Sequence, residues 1–276
     1  MAAPLEAIVA AYFAPDRLLP ETWARLLSLT PSAATSFCQQ LVTDNDADGP
    51  NPTRLPPLSY VGMWPNAYYK LLARCLWVWQ TTGVCPVLTQ LPPPVDGVVE
   101  DTGPRDRLAT IPLAIVEDLG TTTRMDAFVV AIGGARGIVT LLGVRCTAGS
   151  QVLVPPTAAV CMDAFNRKHG DANSKSKLTI GGRQWTKHAQ RSLDGWWGVN
   201  KGSEAQKNAL GEAKVRDIMA SMVWMNTHGL PNGPIVLEIR QKDGYGARWG
   251  CVDGDVHFRG FVEPYMADGH AVGWVH

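Results

Sequence analysis

The hydrophobic period changes part-way along the chain, and that change restricts the fold more than any motif does. Before residue 95, Tyr68, Leu71, Leu72, Cys75, Leu76 and Trp79 fall on one stripe at helical spacing, which predicts a core-facing helix from about Pro65 to Thr82. Residues 4–42 read as three further helical segments, with Pro20 and Pro31 at first-turn positions, where a missing N–H removes no helical hydrogen bond. Asp44–Pro57 is a proline-broken loop, and Pro86–Gly97, containing LPPPVDG, is a stiff connector. Beyond it, Ile111–Glu117, Ala127–Ile132 and Ile138–Arg145 are short β-branched runs that read as strands, with a hairpin turn at Gly133–Gly137. That loop has neither GxGxxG spacing nor a Gly-Lys-Ser/Thr ending, so it does not read as a phosphate loop.

Two further elements complete the expected fold. Ser203 and Gln206 form a capping box, and Gly229 with Pro231 closes the segment, which predicts a helix over Glu204–His228 with later turns apolar nearly all round. After it, Ile235–Arg240, Ala247–Cys251 and Val256–Val262 are separated by tight Asp-Gly turns and form a meander. Alternation puts Val236, Glu238 and Arg240 on one face, and His257, Arg259 and Phe261 together on a face of the last strand. The expected class is α+β: a helical N-terminal part over residues 1–95, then a mixed, mostly antiparallel part over 96–276 packed on a central buried helix. Whether the two pack as one continuous domain is left open.

Charge is balanced overall, with 25 Lys and Arg against 25 Asp and Glu. That balance argues against a whole-protein polyanion binder and leaves room for one local anion-binding face. Between Arg167 and Arg191 seven cations (Arg167, Lys168, Lys175, Lys177, Arg183, Lys187, Arg191) meet one acid, Asp171. The stretch Gly181–Gly202 adds His188 and the rings of Trp185, Trp196 and Trp197. Cations neutralise phosphates and indoles stack on bases, so the segment reads either as an anionic, aromatic ligand's binding site or as a solvated basic loop beside core tryptophans. The six cysteines lie no closer than ten residues apart and read as small core residues, against a disulfide scaffold or a zinc module. No run of eighteen apolar residues occurs, and Glu6 stands where a leader peptide carries Arg or Lys, so a soluble intracellular chain is expected.

Three groups are candidates for chemistry. The first is the basic and aromatic set Arg183, Trp185, Lys187 and Arg191. The second pairs imidazole with carboxylate for acid/base work: His188, His228, Glu263 and His270, with Asp268 nearby. His228 has a plainer reading as a histidine at a helix C-terminus, and the absence of HxxxH, HxH or HExxH spacing leads to no assigned metal site. The third is Arg240, Arg248 and Arg259, one per strand of the meander, as an anion clamp or as cross-strand ion pairs with Glu238 and nearby acids. No GxSxG elbow or cysteine signature points to a nucleophile. No cofactor is assigned.

The runs KHAQRSLDGWWG, GYGARW, FRGFVEPYMADGH and GWVH together resemble a C-terminal segment of uncharacterised eukaryotic proteins from plants, algae and protists. The resemblance covers roughly the last hundred residues and implies a shared module. It transfers no catalytic residue. The functional expectation is a protein that binds a nucleotide, a phosphorylated metabolite or an RNA segment through the basic segment and the Arg-bearing strands. The alternative is a structural or interaction subunit that packs against a protein partner and takes no small ligand.

Overall fold

Helices fill the first part of the chain and an antiparallel sheet the last, so the fold is α+β. The computed structural model describes residues 3–43, 58–63, 67–170, 173–191, 195–231, 233–252 and 254–265. These fall into two compact units, the first from residues 1–60, 64–92 and 101–155 and the second from 61–63, 93–100 and 156–276. Among the described residues, no helix is long and apolar enough to cross a membrane.

The first unit is helical throughout: α1 (Ala3–Tyr12), α2 (Pro20–Leu27), α3 (Pro31–Val42), α4 (Tyr68–Thr82), α5 (Pro86–Gln90), α6 (Gly103–Ala109), α7 (Leu113–Glu117), α8 (Thr122–Ala131) and α9 (Ala135–Leu141). Pro20 and Pro31 start α2 and α3, and the Thr30 hydroxyl accepts from the Ala33 N–H to cap α3. All six residues of the expected α4 stripe are buried. The three runs read as strands between residues 111 and 145 instead contain α7, α8 and α9, and Gly133–Gly137 is the corner into α9 together with its first turn and not a hairpin. For α9 the physical reason is burial: Ile138, Val139, Thr140 and Leu141 are all enclosed, and a short helix covered on every side shows the same unbroken apolar run as a buried strand.

In the second unit, α10 (Ala158–Asn166), α11 (Ile180–Arg191) and α12 (Glu204–Ser221) precede β1 (Trp224–Gly229), β2 (Ile235–Arg240), β3 (Gly246–Val252) and β4 (Asp255–Val262). The strands pair antiparallel in the order β1-β2-β3-β4. The capping box is present, with the Ser203 hydroxyl accepting from the Gln206 N–H and the Gln206 amide oxygen from the Ser203 N–H. The helix stops at Ser221 instead of reaching His228. Its buried residues Gly211, Val215, Ile218 and Met219 make a single stripe, Leu210 is exposed, and the apolar residues from Trp224 onward belong to β1. The basic stretch from Ile180 to Arg191, expected as a loop, is the helix α11. It lies close to α12 because Gly182 and Gly211 leave room: a Cβ on Gly211 would stand 3.0 Å from the Cβ of Trp185 and 3.3 Å from the Cα of Gly182.

One face of the sheet forms the core. Met225, Leu237, Ile239, Ala247, Trp249, Phe258 and Phe261 join Phe165, Trp185, Val215 and Ile218 in one cluster. Phe258 and Phe261 share that face although three residues apart, because the β3–β4 register shifts between Arg248 and Trp249. Gly260 pairs with Arg248 and Phe258 with Trp249, which leaves Arg259 as the extra, exposed residue of a bulge. The simple alternation that put His257, Arg259 and Phe261 on one face therefore fails at this point.

Candidate active site

The other face of the same sheet carries buried charge. The register aligns Asn226 with Glu238 and Glu238 with Arg248, so side chains from β1, β2 and β3 converge. The Glu238 carboxylate is 3% exposed and is reached from three directions. Arg240 Nε donates to Oε1 at 2.6 Å, His228 Nε2 lies 3.1 Å from Oε2, and Arg248 Nε donates to that same oxygen. Burial acts to raise the pKa of Glu238, but the hydrogen bond with His228 and the charges of Arg240 and Arg248 outweigh it and hold the carboxyl down at about 2. Glu238 is therefore a carboxylate at any physiological pH.

The group carries an excess of positive charge. One carboxylate meets two guanidiniums, so it holds a net +1 before His228 is counted. Access differs among its members, since the Arg248 side chain is 34% exposed and that of His228 17%. Arg240 is fixed more firmly: its Nη1 donates to the carbonyls of Gly244 at 2.7 Å and Glu263 at 3.0 Å. Arg248 and His228 are thus the members of the group nearest solvent, with Arg240 behind them.

A second imidazole–carboxylate pair is formed by His188 and Glu263. His188 Nδ1 and Trp197 Nε1 both lie 2.7 Å from Glu263 Oε1, and the imidazole packs against the rings of Trp197 and Phe261 with centroids at 4.7 and 5.7 Å. Of the four acid/base candidates, the structure thus joins His188 to Glu263, and His228 to a carboxylate that the candidate set omitted. His270 and Asp268 lie outside the described residues. His228 is not at a helix end but in β1, so the dipole reading of it is set aside.

The ligand-binding candidates separate as well. Arg240 and Arg248 share the Glu238 group, whereas Arg259 leaves their row at the bulge. Trp185 is corrected as a stacking platform: it is 1% exposed, and its indole N–H donates to the Trp197 carbonyl at 2.9 Å, so the ring is core. Trp196 is half-buried and stacks on Tyr245 at 3.8 Å, with Lys214 Nζ 3.8 Å from its ring centroid. Arg183, Lys187 and Arg191 follow one another every fourth residue and form a stripe on α11, at roughly 6 Å of rise per step. None of the three has a partner among the described residues. A groove of about 550 Å³, lined by Trp196, Asp217, Ser221, Gln241, Lys242 and Asp243, lies at the β2–β3 turn and contains no member of the Glu238 group.

Residues 168–263, about a third of the chain, match a family described as the CdiA C-terminal tRNase toxin domain. The matched stretch contains α11, α12, all four strands and every residue of the Glu238 group. No curated protein and no solved structure matches the chain.

Proposed function

We propose that the second unit cleaves RNA by internal transesterification at Glu238, His228, Arg240 and Arg248. The observation that carries this reading is the buried carboxylate bound by one imidazole and two guanidiniums on one sheet face, inside a stretch similar to a tRNase domain. Cleavage next to a 2′-hydroxyl needs a base for that hydroxyl, an acid for the leaving 5′-oxygen and cations around the phosphorane. Glu238 takes the proton of the 2′-hydroxyl as its oxygen bonds to phosphorus. Protonated His228 gives a proton to O5′ as the P–O5′ bond breaks, and Arg240 and Arg248 hold the equatorial oxygens. A carboxylate held at about 2 is a weak base. The arriving phosphate draws Arg248, the more exposed guanidinium, off Glu238 Oε2, which frees that oxygen and returns basicity to it, while Arg240 stays in place.

The test is incubation of the full chain with mixed tRNA, with and without divalent cations. Discrete fragments ending in 2′,3′-cyclic phosphate are expected, with His228→Ala and Arg248→Ala slower by about a hundredfold or more. Intact RNA under both conditions, or His228→Ala as active as the parent, overturns the reading.

A further inference from the structure

Glu263 holds two neighbours through different atoms. Its carboxylate accepts from His188 Nδ1 and Trp197 Nε1, both at 2.7 Å, while its backbone carbonyl accepts from Arg240 Nη1 at 3.0 Å. His188 stands on α11, on the core side of the sheet, and Arg240 lies on the opposite face with Glu238. Glu263 follows the last residue of β4, where the strand pairing that would otherwise fix its backbone has ended. Its carbonyl is consequently held where Arg240 needs it by the side-chain bonds to α11 and to Trp197.

We infer that His188 is a positioning residue: through Glu263 it fixes the guanidinium of Arg240 against Glu238 in the RNA-cleaving site. The inference rests on the function proposed above for that site. Arg240 has three donors committed, to Glu238 Oε1, Gly244 O and Glu263 O, so its plane is set by three points. Loss of the Glu263 carbonyl leaves two, and the guanidinium can then tilt about the axis between them. Misplacement of a charge-stabilising group by about an ångström is enough to cost on the order of a hundredfold in rate. His188 touches no reacting atom on this account, and its effect falls on turnover instead of on binding.

Its geometry also says which substitution preserves the function. The atom that meets Glu263 is Nδ1, and the side-chain amide nitrogen of asparagine occupies nearly the same place and donates in the same direction. His188→Asn therefore keeps the bond, and His188→Ala removes it.

The experiment is a kinetic comparison of the full chain with its His188→Ala and His188→Asn variants on tRNA, together with the exchange rate of the Arg240 Nε–H in a 15N-edited NMR spectrum recorded without RNA. His188→Ala is expected to lower kcat about ten- to a hundredfold at unchanged KM and to speed exchange of the Arg240 Nε–H, while His188→Asn restores both. If His188→Ala does not fold, Trp197→Phe removes the other donor to the same carboxylate oxygen and is read in the same way. A change in KM alone, or unchanged kcat and unchanged Arg240 exchange, overturns the inference. Should the parent chain cleave no RNA, the proposed function fails while the NMR comparison still decides whether His188 fixes Arg240.

Discussion

The buried thiols of the first unit and the buried carboxylate of the second are handled in opposite ways. In the first, burial pushes the thiols of Cys75 and Cys38 up to about 12 and that of Cys85 to about 11, and raises the Tyr60 hydroxyl too, so all four stay neutral. The Cys75 thiol donates to the Leu141 carbonyl at 3.0 Å and lies 3.0 Å from the Tyr60 oxygen, which satisfies the polar atoms without introducing charge. In the second unit, Glu238 is as deeply buried and yet remains ionised, because three partners were placed around it. Buried charge occurs in both units, since Arg145 of the first is only 2% exposed, but at Glu238 a carboxylate, an imidazole and two guanidiniums meet at one point.

The difference is broken most severely at Glu238. Glu238→Gln strands two guanidiniums without their counter-charge and is expected to cost about 3–5 kcal/mol at neutral pH by chemical denaturation. The sign of its pH dependence follows from the depressed pKa: the carboxylate's contribution is complete above its ordinary value of 4.5 and is lost as pH falls through about 2. The gap between parent and variant should therefore close over that window. Phe128→Ala, in the first unit, is expected to cost a similar ~3–5 kcal/mol, with a gap that does not change between pH 4.5 and 2. Equal closure of the two gaps would remove the distinction between the units. Gly211→Leu should cost about 1–3 kcal/mol by forcing α11 from α12, read as a lower Tm. Ser203→Ala removes one half of the capping box for about 1 kcal/mol. Arg216→Ala breaks an exposed pair with Glu212 at 2.7 Å and should move stability by only ~0.3–0.5 kcal/mol.

Legibility follows the same division. The meander from β2 to β4 was readable because Asp-Gly turns and alternating runs are local signals, and the start of α12 because a capping box is one as well. α9 is not readable, since enclosure on every side erases periodicity, and neither are α7 and α8, whose short β-branched runs are too brief to show a helical period. β1 was hidden by the apolar residues that run from the end of α12 across Met222 and Val223 into Trp224, with no polar break to mark the change. That error displaced His228 into a helix and separated it from Glu238. Glu238 is visible as an acid flanked by Leu237 and Ile239 in an apolar strand, with an arginine two residues on, and reads as a partner for cross-strand ion pairs. Ion pairs on an exposed sheet are worth little, and nothing in the sequence says that this face is buried. The bulge that carries Arg259 out of the arginine row has no signal beyond Gly260.

The order of the sheet has a kinetic meaning. Each strand pairs with the one made just before it, and both His228 and Arg248 lie ten residues from Glu238 along the chain. The loops that must close to bring these charges together are short, and hairpins of this size form in roughly 1–10 μs. The polar cluster thus needs only short closures, whereas Phe165 of α10 meets Phe258 and Phe261 across more than ninety residues. Of the two faces of the sheet, the charged one is built from contacts local in the chain and the aromatic one from distant ones.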